Sequence, residues 1–232
     1  HRCAGNGKAS GRRFALARFD PAAKPFSSGS KARDKARVAE LALEIDREWW
    51  RDAIRNDCCW ETLTFANYVA SSYPDPSWMG DVLPEKKRRE ILDFSFKHWK
   101  EHSPMLKLML AMTLERADRG QDARRVLASV MDSAKTTRDE GTFWAPEDRG
   151  WLWYNDTIET HAWAIRALQE IEPKDPRLPG LVQWIFLNKK LNHWKSTRAT
   201  SEVLYVLAHY LERRGQLGAR EAARVEAGGR ET

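Results

Sequence analysis

Two acidic residues stand where a helix is predicted to begin, and their spacing could support acid–base chemistry. Asp156 and Glu159 are three positions apart, which places both carboxylates on the first turn of one helix. A pair of carboxyl groups can act as general acid and base, as in glycoside hydrolysis. The alternative is structural, because acidic groups at a helix start cap free N–H groups and offset the helix dipole. We favour the structural interpretation and assign no catalytic residue.

The histidines raise the possibility of metal binding. His98 and His102 have the i, i+4 spacing that brings two imidazoles to one helix face, whereas His161, His193 and His209 are scattered. A metalloprotease helix carries a glutamate directly after its first histidine, and Trp99 occupies that position here. We therefore predict a packed or exposed histidine pair, with no metal ligands and no cofactor.

The cysteines do not form a recognisable framework. Cys3, Cys58 and Cys59 are an odd number with two adjacent members, which fits neither a disulfide scaffold nor a zinc ligand set. Cys58 and Cys59 could be a redox pair, but the ring that adjacent cysteines close is strained. Two small buried thiols are the simpler prediction. The chain also lacks a glycine-rich phosphate loop and a serine nucleophile elbow.

Tryptophan is unusually abundant, with eleven residues in 232. Trp144, Trp151 and Trp153 gather near one predicted hairpin, where they could form a platform for a carbohydrate. We favour the alternative that they pack their rings on neighbouring helices, since a buried indole covers a large area when its N–H finds a partner. The sequence leaves these two alternatives open.

The elements that would position these residues are mostly helices. Apolar side chains recur at three-to-four spacing from Asp34 onward, which predicts a series of amphipathic helices. Ser103 before Pro104, Asp156 and Ser196 have the residue types of N-caps. The predicted helices run from 34 to about 53, and over about 59–72, 84–102, 103–117, 121–134, 157–171, 177–190 and 197–214.

One insert interrupts the helices. Thr142 to Trp144 and Trp151 to Tyr154 are rich in aromatic and β-branched residues and flank the turn-rich stretch from Pro146 to Gly150. This pattern predicts a short β-hairpin over residues 142–154. The fold class is therefore all-α with one β-hairpin insert.

The two ends of the chain differ from its centre. Residues 1–33 carry eight basic side chains against the single Asp20, so the net charge of +6 lies in this segment and residues 34–232 are nearly neutral. The composition of 1–33 predicts a disordered segment or linker, and 215–232 a flexible tail. Because a phosphate-binding face needs basic residues clustered on the fold, we predict no nucleic-acid partner. The run from Lys86 to Arg89 is interpreted as the solvated first turns of a helix.

The chain also shows an internal repeat. His98-Trp99-Lys100 recurs as His193-Trp194-Lys195 after 95 residues, and Arg119-Gly120 recurs as Arg214-Gly215 at the same offset. Repeats built from helix pairs predict a solenoid or a closed α/α toroid. Trp99 and Trp194 should then occupy equivalent buried positions before successive helices.

These segments carry a resemblance to a known family. In their order and spacing they resemble the helical domain of bacterial alpha-2-macroglobulins, over residues 84–214 and more faintly over 34–83. The matching segments are Trp99 to Lys107, Phe143-Trp144, Trp153 to Ala162, Arg166 to Leu168, and Asn192 to Glu202 with Tyr205 and Leu207.

The resemblance implies an α/α toroid domain over 34–214 that lies between β-sandwich domains of a large secreted or periplasmic protein. Such proteins trap proteases and are endopeptidase inhibitors, so the module would have proteases as partners and no catalysis of its own. Members with a thioester join a Cys to a Gln three residues on, but Cys59 is followed at that distance by Thr62. We therefore expect no thioester here. The chain starts at His1, which suggests a piece of a larger protein.

Two other functions stay open: an α/α-barrel enzyme acting on glycans or isoprenoids, and an independent helical interaction scaffold. No stretch of the sequence approaches the length of about 20 apolar residues that a membrane span needs, so no span is expected in this chain.

Overall fold

The structure is a computed structural model that describes residues 49–73, 83–144 and 156–216, with the backbone of 226–227 and 230–231. The described chain is mostly helical, as predicted. Its α-helices are α1 (Trp49–Arg55), α2 (Trp60–Ser71), α3 (Glu85–Lys97), α4 (Pro104–Arg116), α5 (Gly120–Met131), α6 (Thr157–Ile171), α7 (Leu178–Leu187) and α8 (Thr197–Arg213). Its strands are β1 (Lys135–Thr137), β2 (Gly141–Phe143), β3 (Glu226–Ala227) and β4 (Arg230–Glu231).

The helices form two rows. In the main row, α2, α4, α6 and α8 each pack against the next member. In the second row, α3 contacts α2 and α4, and α5 contacts α4 and α6, while α7 packs on α6 and β2. The short α1 contacts α3. From α2 to α8, successive helices along the chain therefore belong alternately to the main row and to the second row.

Polar contacts between the ends of neighbouring main-row helices show how these helices are oriented relative to one another. Glu159 near the start of α6 pairs with Arg198 near the start of α8. At the opposite end, Arg116 closes α4 and pairs with Glu170 near the end of α6. The main-row helices are consequently parallel, and each second-row helix returns the chain in the opposite direction. The result is an array of antiparallel helix pairs.

Side-chain caps mark the starts of three main-row helices. Ser103, Asp156 and Ser196 each accept a hydrogen bond from the backbone N–H three residues on, at 3.4, 3.0 and 3.0 Å. These bonds satisfy N–H groups that have no partner inside the helix. The second-row helices α3, α5 and α7 have no side-chain cap bond. The three N-cap predictions are thus confirmed.

The core follows the main row. Of the 13 residues of α4, nine are buried, because it has neighbours in both rows. α6 is covered in the same way by α4, α5, α7 and α8. A smaller cluster of apolar side chains, including Trp50, Leu63 and Phe94, joins α1, α2 and α3.

The described hairpin lies upstream of the predicted one. Gly141–Phe143 is a strand, but it pairs antiparallel with Lys135–Thr137, whereas residues 145–155, with the other predicted strand, lie outside the described residues. The Thr136 and Thr142 hydroxyls are 3.0 Å apart across the pair, and Thr137 Oγ1 accepts from Glu140 N–H at 3.0 Å. These hydroxyl bonds support the pairing of β2 with an upstream strand whose three residues are all exposed.

Close backbone contact fixes this hairpin on α7. A Cβ at Gly180 would lie 2.3 Å from Thr142 Oγ1, and a Cβ at Gly141 would lie 2.3 Å from the Gly180 carbonyl oxygen. Gly141 also has a φ of +81°, which favours glycine. Only glycine at both positions allows β2 to approach the first turn of α7 this closely.

The predicted helix boundaries that fall among the described residues agree with the structure to within a few residues, except that the helix predicted over 84–102 ends at Lys97. The predicted start of the first helix at residue 34 lies outside the described residues. A 3₁₀ turn over Trp99–Glu101 follows it. Residues 1–48 lie outside the described part of the chain. Within the predicted tail, β3 and β4 pair antiparallel, a contact that the composition does not indicate.

Candidate functional site

The end of the array at which α6 and α8 begin holds most of the residues singled out in the sequence. We call this the capped end and define it by Trp144, Asp156, Glu159, Trp194 and Arg198. Their positions follow from nearby sequence features. The N-caps Asp156 and Ser196 begin α6 and α8, and the two tryptophans lie in the loops that lead into these helices.

Asp156 is engaged twice at the capped end. Its Oδ1 accepts the backbone N–H of Glu159 at 3.0 Å, and its Oδ2 forms an ion pair with Lys195 Nζ at 3.1 Å. The first contact caps α6, and the second ties the start of α6 to the loop before α8. Both roles belong to the structural interpretation of this carboxylate.

Glu159 is the more buried of the two carboxylates. Its side chain is 2 % exposed and its Oε1 lies 2.6 Å from Arg198 Nε. Burial raises the pKa of Glu159, and the Arg198 guanidinium counteracts that rise. A raised pKa in a carboxyl group is a feature of general acids, but this carboxylate is held in an ion pair between two helices. The pair therefore serves to join α6 and α8.

Trp194 is docked by two hydrogen bonds. Its indole Nε1–H donates to the Ile185 carbonyl near the end of α7 at 2.8 Å, and its backbone N–H donates to Thr200 Oγ1 in α8 at 3.0 Å. The residue is 2 % exposed. The loop between a second-row helix and a main-row helix is thereby pinned at both sides, so the predicted burial of Trp194 is confirmed.

Trp144 repeats this arrangement one helix pair earlier. Its indole Nε1–H donates to the Val130 carbonyl near the end of α5 at 2.9 Å, and its backbone N–H donates to His161 Nε2 in α6 at 3.4 Å. The ring is half-buried and meets the His161 ring edge-on at 4.8 Å. Trp144 is therefore a packed residue, while Trp151 and Trp153 lie outside the described residues.

Trp99 differs from the predicted equivalence. It precedes α4 as Trp194 precedes α8, but it lies in the 3₁₀ turn, is half-buried, and makes no indole hydrogen bond with the described residues. The Lys107 ammonium lies 5.5 Å from its ring centroid. The expectation that both rings of the repeated tripeptide are equally buried is wrong for Trp99.

His161 is fully buried behind Trp144. Its Nδ1–H donates to the Thr157 carbonyl at 2.8 Å, so its Nε2 is the acceptor for the Trp144 N–H. The ring stacks on Trp184 with centroids 3.7 Å apart. Burial lowers the pKa of His161 to about 4, and the bond to the Thr157 carbonyl opposes the change. The imidazole is neutral at physiological pH.

The two histidines with i, i+4 spacing, His98 and His102, make separate contacts. His98 Nε2 contacts Asp57 Oδ1 at 2.9 Å, and its ring stacks on Trp60. His102 is buried instead, with Nε2 at 2.8 Å from Thr64 Oγ1, and burial lowers its pKa to about 4. Within the described ranges, no three His, Cys, Asp or Glu side chains come together to hold a metal ion.

No disulfide joins the adjacent thiols of Cys58 and Cys59, whose Sγ atoms lie 3.2 Å apart. Both residues are half-buried, whereas the sequence predicts burial. Cys59 has a φ of +61° just before α2, and Thr62 is exposed.

Among the described residues, no helix is both long and apolar enough to cross a membrane. Comparison with protein-family models, with curated proteins and with solved structures gives no match for this chain.

Sequence reasoning missed the partners that join the helices. Lys195, Arg198 and Thr200 had no assigned role, although all three lie in the segment that carries the resemblance. The signal that could have found them is their position: they flank the cap Ser196, where a main-row helix begins next to the start of another.

Proposed function

We propose that this chain is a non-catalytic helical module of an alpha-2-macroglobulin-like protein that traps proteases. The observation that carries the proposal is where the resembling segments fall in the array. Phe143-Trp144 and Asn192 to Glu202 precede or begin successive main-row helices, and both contain a tryptophan bonded to the preceding and following helices. Two of the segments that carry the resemblance thus share one structural role.

The array has one row of parallel helices and a second row that returns the chain in the opposite direction, which is the arrangement of helix pairs in an α/α toroid. We propose that the array of α2 to α8 is part of such a toroid. In a repeat fold each pair buries its face only against its neighbours, and α4 and α6 are covered on all sides in this way. We further propose that additional helix pairs close the array into a ring.

The main enzymatic rival is an α/α-barrel hydrolase acting through Asp156 and Glu159. Against it stands the engagement of both carboxylates, one by Lys195 and a helix N–H, the other by Arg198. A general acid needs a carboxyl group that is free to reach a substrate. The ion pairs favour a scaffold over this catalytic pair.

Exposed apolar side chains support the proposed place of the module between other domains. Phe186, Leu187 and Leu191 lie at the end of α7 and in the following loop and are 51 %, 59 % and 91 % exposed. Clustered exposed apolar groups mark contact surfaces. We propose that β-sandwich domains of the same secreted or periplasmic polypeptide flank the module here.

A trapping assay on the complete protein containing this chain tests the proposal. The protein is incubated with trypsin, and residual activity is measured on casein and on a small chromogenic peptide. A trap excludes large substrates while leaving the protease active site open, so casein cleavage should fall and peptide cleavage should persist. The 232-residue chain alone serves as the control and should protect neither substrate.

Equal cleavage of casein with and without the protein would contradict the proposal, and equal loss of both activities would indicate an active-site inhibitor instead. A glycan-hydrolysing activity abolished by Glu159→Gln would establish the enzymatic alternative.

A further inference from the structure

A polar cleft opens at the end of the array opposite the capped end. It lies where α2, α4 and α6 end and α3 begins, and has a volume of about 520 Å³, within the range of small-ligand sites. We call it the Arg88 cleft, and the residues used below are Asn67, Glu85, Arg88, Thr113, Asp118 and Glu170.

The charged groups on one wall of the Arg88 cleft already have hydrogen-bond partners. Arg116 binds Glu170 through two parallel hydrogen bonds, Nε to Oε1 at 2.6 Å and Nη2 to Oε2 at 2.8 Å. Its Nη1 donates to the hydroxyls of Ser71 and Ser72 at 3.0 and 2.9 Å. Arg116 thus holds the ends of α2, α4 and α6 together, and its charge is neutralised by Glu170.

Arg88 is in a different state. It lies in the second turn of α3, within the basic run from Lys86 to Arg89, and is half-buried where neighbouring Lys86 is exposed. Its Nε is buried with no hydrogen-bond partner, and no carboxylate of the described residues forms an ion pair with it. A guanidinium that is partly removed from water and has no anion beside it is unfavourable. An anion that bound to Arg88 would therefore not have to displace an existing ion pair.

A hydrogen bond to the backbone carbonyl of Arg88 holds this residue in place. Asn67 is 4 % exposed and donates from Nδ2 to the Arg88 carbonyl at 3.3 Å, which links α2 to this turn of α3. Thr113, also buried, lines the cleft beside them. With Nε shielded, the terminal Nη groups are the donors left for a ligand.

The remaining charges restrict the ligand. Arg89 pairs with Glu85 on the rim and Arg116 pairs with Glu170, which leaves Arg88 and Asp118 as the uncompensated charges of the lining. A dianion such as phosphate would be repelled by the unpaired Asp118 carboxylate, whereas a monoanion that also carries hydrogen-bond donors suits both Arg88 and Asp118. Like charges at short range disfavour binding.

We propose that the Arg88 cleft binds a small hydroxy- or amino-carboxylate, whose carboxylate lies end-on against the Nη groups of Arg88. Its hydroxyl or ammonium donates towards the acidic side of the cleft. The site goes beyond the proposed protease-trapping role and does not depend on it.

The test is a titration of the 232-residue chain with glycolate, glycine, acetate and inorganic phosphate at constant ionic strength. NMR spectra follow the side-chain Nε–Hε resonance of Arg88 in the wild type, and the backbone amide resonances of the cleft residues Asn67 and Asp118 in the wild type and in every variant. We expect a saturating shift with glycolate or glycine, a weaker one with acetate, and none with phosphate. Arg88→Gln should weaken binding about tenfold or more, because a charge-assisted fork is lost.

Lys86→Gln is the matched control, since it removes the same charge from the same helix outside the cleft, and it should leave affinity unchanged. Arg88→Lys keeps the charge without the planar fork and should lose most of the affinity. The proposal is overturned if no probe saturates, if phosphate binds as tightly as glycolate and glycine, or if Lys86→Gln weakens binding as much as Arg88→Gln. Because the wild-type resonance reports binding directly, an unstable Arg88 variant would not obscure the outcome.

Discussion

The loops that lead into α4 and α8 share the tripeptide His-Trp-Lys but use it differently. Trp194 is buried and bonded to the end of α7 and to Thr200. Trp99 lies half-buried in a 3₁₀ turn, beneath the Lys107 ammonium. The same three residues therefore give a docked loop in one place and a surface turn in another.

The loop before α6 shares no such tripeptide, yet Trp144 reproduces the bonding of Trp194. Each indole donates to a carbonyl near the end of the preceding second-row helix, and each backbone N–H donates to a side chain early in the following helix. The comparison teaches that the position of a tryptophan relative to two helix ends, more than its neighbours in sequence, determines its role in this array.

The largest test of this comparison is truncation of the two repeated tryptophans. Trp194→Ala should lower the free energy of unfolding by about 3–5 kcal/mol, since it removes a fully buried ring. Trp99→Ala should cost only about 1–2 kcal/mol, because part of its ring already faces water. Urea unfolding followed by circular dichroism measures both. Equal losses would show that the tripeptide has the same role at both sites.

Acid should distinguish the Trp144 loop from the Trp194 loop. His161 and His102 have pKa values of about 4 in the folded protein, against about 6.5 in an unfolded chain. The unfolded state therefore takes up protons first as pH falls, so stability is full above about pH 7 and declines between about pH 6.5 and 4. Each histidine accounts for about 3 kcal/mol of that decline.

The measurement is the free energy of unfolding in urea between pH 7.5 and 4. His161→Gln should remove about half of the decline attributed to the two histidines, while exposed His193→Gln should leave it unchanged. Thr200, the partner of Trp194, does not titrate in this range, so amide exchange should accelerate at Trp144 before Trp194. If the amides of Trp144 and Trp194 lost their protection from exchange at the same pH, the prediction that the two loops respond differently to acid would be wrong.

The smallest expected effect isolates the indole hydrogen bond. Trp144→Phe keeps an aromatic ring but removes the donor to the Val130 carbonyl, and should cost about 1 kcal/mol. Trp99→Phe removes no bond to the described residues and should change stability by less than about 0.5 kcal/mol. Thermal melts of the pair are sufficient, and a larger loss for Trp99→Phe would reverse the distinction drawn between the two loops.

The sequence predicted much of the local structure because helices and caps depend on residues close together in the chain. Apolar spacing located α2 to α8, and Ser103, Asp156 and Ser196 were identified as caps from their residue types. The upstream strand β1 was not predicted, because it is short, polar and exposed, while the predicted partner strand over 151–154 lies outside the described residues.

By itself, then, the sequence determined the helices, their starts and the aromatic loops between them, which follow from periodicity and from cap chemistry within four residues. Only the tertiary structure decided that Glu159 meets Arg198, that Trp144 and not Trp99 is the counterpart of Trp194, and that Arg88 turns into a cleft while Lys86 faces water. Glu159 and Arg198, for example, are 39 positions apart and lie on separate helices. Their partners are fixed by how the rows pack, a property that no local pattern encodes.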